Sequence, residues 1–146
     1  MKKILISGVL VFIVSANCLL AQDVKAKDVP AAVKTALLKK YPAATKISWE
    51  KENGNFEANW GGRSGEDNAA QFSPTGDFVE YEMAIAINKL PANVAKYVKE
   101  HYTNATIKEA GKITNAAGVI TYEAEVKGKD LVFDVDGNFI KVDEEG

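Results

Sequence analysis

The chain has 146 residues, 47% of them hydrophobic and 26% charged, and carries a formal net charge of −2. That length suits one domain, or two very small ones sharing a core, in the composition range of an ordinary globular protein. Its charge leaves no basic field to neutralise phosphates, so no nucleic-acid partner is expected.

In chain order, Lys2 and Lys3 precede an apolar stretch from Ile4 to Val14, broken only by Ser7 and Gly8. This predicts a secretory signal peptide over residues 1–21, cut after Ala21, with Leu19 and Ala21 at the −3 and −1 positions. The run is shorter than the roughly 20 residues a membrane span needs. The expected product is a periplasmic or secreted protein with no membrane span. Lipidation at Cys18 would call for a small residue before it, and Asn17 stands there. Cleavage removes Lys2, Lys3 and Cys18, leaving 16 basic and 20 acidic residues and no cysteine. Stability then rests on core packing without disulfides. Residues 22–27 read as a short tether.

The remainder is similar to itself at an offset of 61 residues. "VPAAVKTALLKKYPAAT" (29–45) aligns with "LPANVAKYVKEHYTNAT" (90–106), and "FSPTGDFV" (72–79) with "FDVDGNFI" (133–140). Between them "NFEANW" (55–60) faces "TYEAEV" (121–126) at offset 66, a difference that hairpin-loop length absorbs.

Each copy opens with a predicted helix. Pro30 and Pro91 occupy the first turn, where a missing N–H costs nothing. Val29, Val33, Leu37 and Tyr41 then recur every four residues, as do Leu90, Val94, Val98 and Tyr102. Pro42 stops the first helix.

Beyond each helix the period falls to two. Trp49, Phe56, Ala58 and Trp60 take the covered face of a sheet, with Trp49 and Trp60 expected beneath the helices. The opposite, polar face takes Ser48, Glu50, Glu57, Asn59, Gln71, Glu80 and Glu82, with Glu123, Glu125, Asp134 and Lys141 from the second copy. Glycines 54, 76, 118, 128 and 137 mark turns. The expected fold is α+β: two tandem repeats, 28–87 and 88–146, each a helix followed by its own four-stranded antiparallel sheet, helices packed on one sheet face. "MAIAINK" (83–89) joins the copies.

Three features invite a chemical reading. Asp134, Asp136, Asn138 and Glu145 resemble the spacing of a calcium loop, but Phe139 stands where the sharp-turn glycine belongs and Gly137 falls two positions early. The first copy keeps the glycine, Gly76, and replaces the acids by Ser73 and Thr75, so an Asp-Gly hairpin turn is expected and no metal. His101, the one histidine, has no Cys or clustered carboxylate at zinc spacing and no nominated nucleophile; it is expected on the surface of a helix end. "GGRSG" (61–65) lacks the Lys-Ser/Thr ending of a phosphate loop and sets Arg63, the one arginine, on a flexible connection. No catalytic residue and no cofactor is expected, and the protein reads as not an enzyme.

The pattern "YEAEVKGKDLVFDVDGNFIKVDEE", after a helix running from "LPANV" to "HYTNAT", resembles the beta-lactamase-inhibitor-like, PepSY-like family of secreted bacterial proteins. The resemblance covers about residues 28–143; the second copy is the closer match, and the first departs at "FSPTGDF" and in its long "GGRSGEDN" loop. It implies tandem helix-plus-four-strand units whose two sheets lie side by side and form a concave surface of the kind used to bind an enzyme. No residue of this chain carries the inhibitory activity over.

These readings converge on a secreted, non-enzymatic binding or inhibitor-like protein with a protein partner in the periplasm. Its partner-binding residues are expected to be Glu57, Asn59, Arg63, Gln71, Glu80, Glu123 and Glu125. A small-molecule or cation-binding envelope protein is the alternative, and a hydrolase with paired carboxylates stands behind both.

Overall fold

The computed structural model describes residues 21–143. Cys18 and all of the expected signal peptide except Ala21 lie on residues 1–20, outside the described residues. The elements are β1 (Gln22–Asp23), α1 (Ala31–Lys40), β2 (Ser48–Glu52), β3 (Asn55–Trp60), β4 (Asn68–Phe72), β5 (Phe78–Ala84), α2 (Ala92–His101), β6 (Ile107–Asn115), β7 (Ile120–Val126), β8 (Lys129–Phe133) and β9 (Phe139–Asp143). Short 3-10 turns at Ala26–Asp28 and Ile87–Lys89 lead into the helices.

All nine strands form one antiparallel sheet in chain order, β1 to β9. This overturns the expectation of two separate four-stranded sheets. The seam is the pairing of β5 with β6, from Glu80 opposite Asn115 to Ala84 opposite Gly111. Backbone bonds from Ala116 N–H to Val79 O (2.8 Å) and from Ile85 N–H to Ala110 O (2.9 Å) extend it at both ends. Two separate sheets would each have left a long unpaired edge here, and pairing them satisfies both rows of donors and acceptors. The segment 22–27 also does more than tether: Gln22 and Asp23 pair with Lys51 and Glu50 on β2, and Val24 N–H bonds to Trp49 O at 2.8 Å.

Both helices cover the same face of the sheet, each over its own apolar cluster. Under α1, Val33 and Leu37 pack with Trp49, Phe56, Ala58, Ala70 and Phe72, and Trp60 and Tyr81 flank them. Under α2, Val94 and Val98 pack with Ala124, Val126, Leu131 and Phe133. Trp49 is buried and Trp60 half-buried in that first cluster, as the alternation predicts. Pro30 and Pro91 cap the two helices with nearly identical backbone angles, and Pro30 O accepts from both Val33 and Lys34 N–H. Tyr41 and Tyr102 end them in the same conformation although only the first is followed by proline.

The Asp-Gly segment is a tight turn between β8 and β9, with strands and not helices on either side. The Asp134 carboxylate accepts hydrogen bonds from Asp136 N–H (2.9 Å), Asn138 N–H (2.8 Å) and Asn138 Nδ2 (2.9 Å). Those bonds, the Asn138 side chain first, hold its carboxyl below the usual range. In the turn between β4 and β5 the carboxylate is that of Asp77, which accepts from Thr75 and Ser73 hydroxyls at 2.6 and 3.2 Å. So an acid closes each of the two turns, from a different position.

Each of these turns presses its glycine on a helix start. A Cβ on Gly137 (φ +80°) would lie 2.9 Å from the Pro91 Cβ and 3.0 Å from that of Asn93; one on Gly76 (φ +88°) would lie 2.8 Å from the Ala32 carbonyl oxygen. Asn93 Nδ2 donates to Asp136 O across this contact at 2.9 Å. Gly118 shares the positive φ (+80°) but has open space around it. Gly137→Ala and Gly76→Ala are therefore expected to cost more than the roughly 1–2 kcal/mol of the left-handed backbone, and Gly118→Ala only that. Urea denaturation of the three variants compares them directly; equal losses would remove the steric role.

Candidate functional site

Alternation along β2 to β9 sends every second side chain away from the helices. On that open face, register places Glu50 beside Glu57, Glu57 beside Gln71 and Gln71 beside Glu80. The next row runs Asn59, Ala69, Glu82, Ile113, Thr121, and the one beyond it Ala84, Gly111, Glu123, Val132, Lys141. Long acidic side chains thus surround a patch of very small ones: Ala69, Ala84 and Gly111. That contrast hollows the face. The depression has a volume of about 990 Å³, with Glu57, Asn59, Glu82, Glu123, Glu125 and Asp130 in its lining. Ile85 and Ile87, from the segment entering α2, add an apolar border, and Ser64, Glu66 and Asp67 of the long loop add a polar one. A smaller hollow of about 380 Å³ adjoins it on the same face, lined by Gln71, Glu80, Ile140 and Lys141 among others.

Gly111 has a specific part in this. It lies mid-strand without a positive φ, and a Cβ there would meet Glu82 Oε1 in overlap. Its missing side chain is the space into which the Glu82 carboxyl folds.

Burial, and then the charges of Glu57 (β3), Asp130 (β8) and Glu80 (β5), push the Glu82 carboxyl up to about 7. Burial, then Glu82, Asp130, Asp143 (β9) and Glu80, push Glu123 up to about 8. Glu50 and Asp130 are raised too, burial again being the first cause. Crowded like charges in a half-buried hollow disfavour ionisation of each. Among the described residues no lysine or arginine makes ion-pair contact with Glu82 or Glu123; Lys141 pairs with Asp143 nearby.

Of the expected partner-binding residues, Glu57, Asn59, Glu123 and Glu125 line the larger hollow, and Gln71 and Glu80 the smaller. Asn59 and Gln71 are buried, 6% and 8% exposed. Asn59 Nδ2 donates to Glu57 Oε1 (3.2 Å), and Gln71 accepts from Asn55 (3.1 Å) and donates to Glu52 (3.4 Å). Arg63 is exposed on its loop and lines neither hollow. Asp134 belongs to the β8–β9 turn instead of the open face. His101 is exposed at the end of α2, its ring stacked on Tyr97 at 4.2 Å on the helix side of the sheet. Sequence reasoning left Glu82, Gly111, Ala84, Ile85 and Ile87 out of the site. The available signal was Gly111 itself, a glycine inside the strand "IKEAGKITN".

Among the described residues no group of three or more His, Cys, Asp or Glu is placed to hold a metal ion. No helix there is long and apolar enough to cross a membrane.

Fold and face together define an α+β protein with two helices on one side of a nine-stranded meander and an acidic hollow on the other. Residues 63–141 match the model of the family described as "Putative beta-lactamase-inhibitor-like, PepSY-like", and the chain belongs to that family. Its fold is similar to that of a putative periplasmic protein of Bacteroides eggerthii (18% identity, TM-score 0.67, covering 79% of this chain and 88% of that one). It is also similar to a BLIP-like protein of Bacteroides fragilis (24% identity, TM-score 0.55, 78% and 85% covered). No curated protein matches the chain.

Proposed function

We propose that this chain is an exported, non-enzymatic binding protein whose open sheet face receives a protein partner. The observation that carries the reading is the hollow itself, about 990 Å³ on a sheet face that the protein's own helices leave uncovered. Export rests on the leader pattern of residues 1–21, and the periplasmic description of the Bacteroides eggerthii protein favours the same location. The family description and the BLIP-like relative favour binding over chemistry. We assign partner contact to Glu57, Asn59, Gln71, Glu80, Glu123 and Glu125, with Arg63 reaching in from the rim. Strands on both sides of the β5–β6 pairing contribute to this face.

Catalysis by paired carboxylates needs environments that push an acid and a base apart. Glu82 and Glu123 are instead pushed the same way, by burial and by the shared neighbours Asp130 and Glu80. That crowding also favours the second reading, a small cation as ligand.

Affinity capture from periplasmic extract tests the proposal. A partner is expected that Glu57→Lys and Glu125→Lys release and that Lys39→Ala, on the far face, retains. Release by Lys39→Ala but not by the two charge reversals would move the binding surface to the helices. A thermal shift with calcium or magnesium alone would favour the cation reading.

A further inference from the structure

Which chemistry the hollow selects can be taken further, resting on the protein-binding reading above. We propose that its occupant is an extended segment of a partner protein carrying a lysine or arginine, whose aliphatic stem lies along Ile85 and Ile87 while its cationic head enters between Glu82 and Glu123 over Gly111.

Three observations support this occupant. First, the charge is predominantly negative: carboxylates of β3, β5, β7 and β8 converge on the hollow, Lys108 is the one described cation in its lining, and no described lysine or arginine makes an ion pair with Glu82 or Glu123. An incoming cation between Glu82 and Glu123 relieves that repulsion. Second, the border is apolar where the floor is acidic, with Ile87 44% exposed beside Ala84, Ile85 and Ala86. A metal ion gains nothing from such a wall, whereas a lysine or arginine stem buries methylenes against it. Third, the volume of about 990 Å³ exceeds what an ion or a single head group fills and suits several residues of a chain.

The test is a titration followed by amide NMR of the protein at pH 8, where Glu82 and Glu123 carry more charge than at neutral pH. Three blocked pentapeptides serve as probes: Gly-Lys-Gly-Lys-Gly, the same with glutamate, and the same with norleucine. The lysine peptide is expected to shift the amides of Gly111, Glu123 and Ile87, the glutamate peptide to shift none. Glu82→Gln with Glu123→Gln is expected to weaken the lysine peptide at least about tenfold, the worth of one charge-assisted hydrogen bond. Equal binding of glutamate and lysine peptides, or full binding to the double variant, overturns the proposal. Norleucine binding as well as lysine overturns it too, in favour of an apolar occupant. If the captured partner is released by Glu57→Lys while the lysine peptide leaves the amides unmoved, the docking face stands and its cationic occupant falls.

Discussion

The protein is expected to melt at a lower temperature at pH 8 than at pH 5, and Glu123→Gln is expected to remove most of the difference. Burial and neighbouring charge raise Glu82 from 4.5 to about 7 and Glu123 from 4.5 to about 8 in the folded state. The fold therefore binds more protons than the unfolded chain between those values, and its stability falls as pH rises. The contribution is complete below pH 4.5 and is lost as pH passes 7 and then 8. Each tenfold gain in proton affinity on folding is worth about 1.4 kcal/mol, and the two groups titrate as a pair, so a loss on the order of 3 kcal/mol is expected. For a chain of this size that is about 6–12 °C in melting temperature. Glutamine is shaped like the protonated acid and cannot ionise, so the variant should match wild type at pH 5 and exceed it at pH 8. Asp77 and Asp134, whose carboxyls are lowered, act in the opposite sense and only in acid, outside this window. Calorimetry of both proteins at the two pH values measures it. Parallel profiles would mean that the hollow does not strain these carboxyls.

Phe133→Ala is expected to lower the melting temperature by about 6–20 °C while leaving a single unfolding transition. Phe133 is fully buried under α2, with the rings of Tyr97 and Phe139 edge-on at 5.5 and 5.9 Å. Truncating a buried phenylalanine to alanine costs about 3–5 kcal/mol, part lost transfer and part cavity. The described residues of its apolar cluster, from Leu90 to Val142, all belong to the second half. Were residues 28–87 and 88–146 independent, the loss would split the melt and leave the first half unmoved. Because β5 and β6 are paired, unfolding the second half would bare the β5 edge, and the halves are expected to go together. Val135→Ala, at a side chain 55% exposed, serves as the control and should change stability by less than about 0.5 kcal/mol.

How legible the fold was depends on the distance over which its causes act. Recurrence of Val33 with Leu37 and of Val94 with Val98 identified both helices and their buried faces, because helix periodicity is local. Alternation through Phe56, Ala58 and Trp60 likewise identified the side facing the helices. Strand partners are another matter. Nothing within Phe78–Ala84 or Ile107–Asn115 states that these two strands, on either side of α2, pair with each other. Alternation places Glu57 and Glu123 on the polar face, but it does not say which side chains lie beside them there. Their crowding with Glu82 and Asp130 arises only when strands distant in sequence are laid side by side.

By itself, then, the sequence determined the local elements, the faces of each strand, the Asp-Gly turn at Asp134–Asn138 and the acidic character of one side. Tertiary structure alone decided that β5 and β6 close a single nine-stranded sheet and that Ala69, Ala84 and Gly111 meet to form a hollow. It alone decided that Glu82 and Glu123 share that hollow. The reason is physical: periodicity is set by neighbours along the chain, whereas repulsion and desolvation are set by neighbours in space.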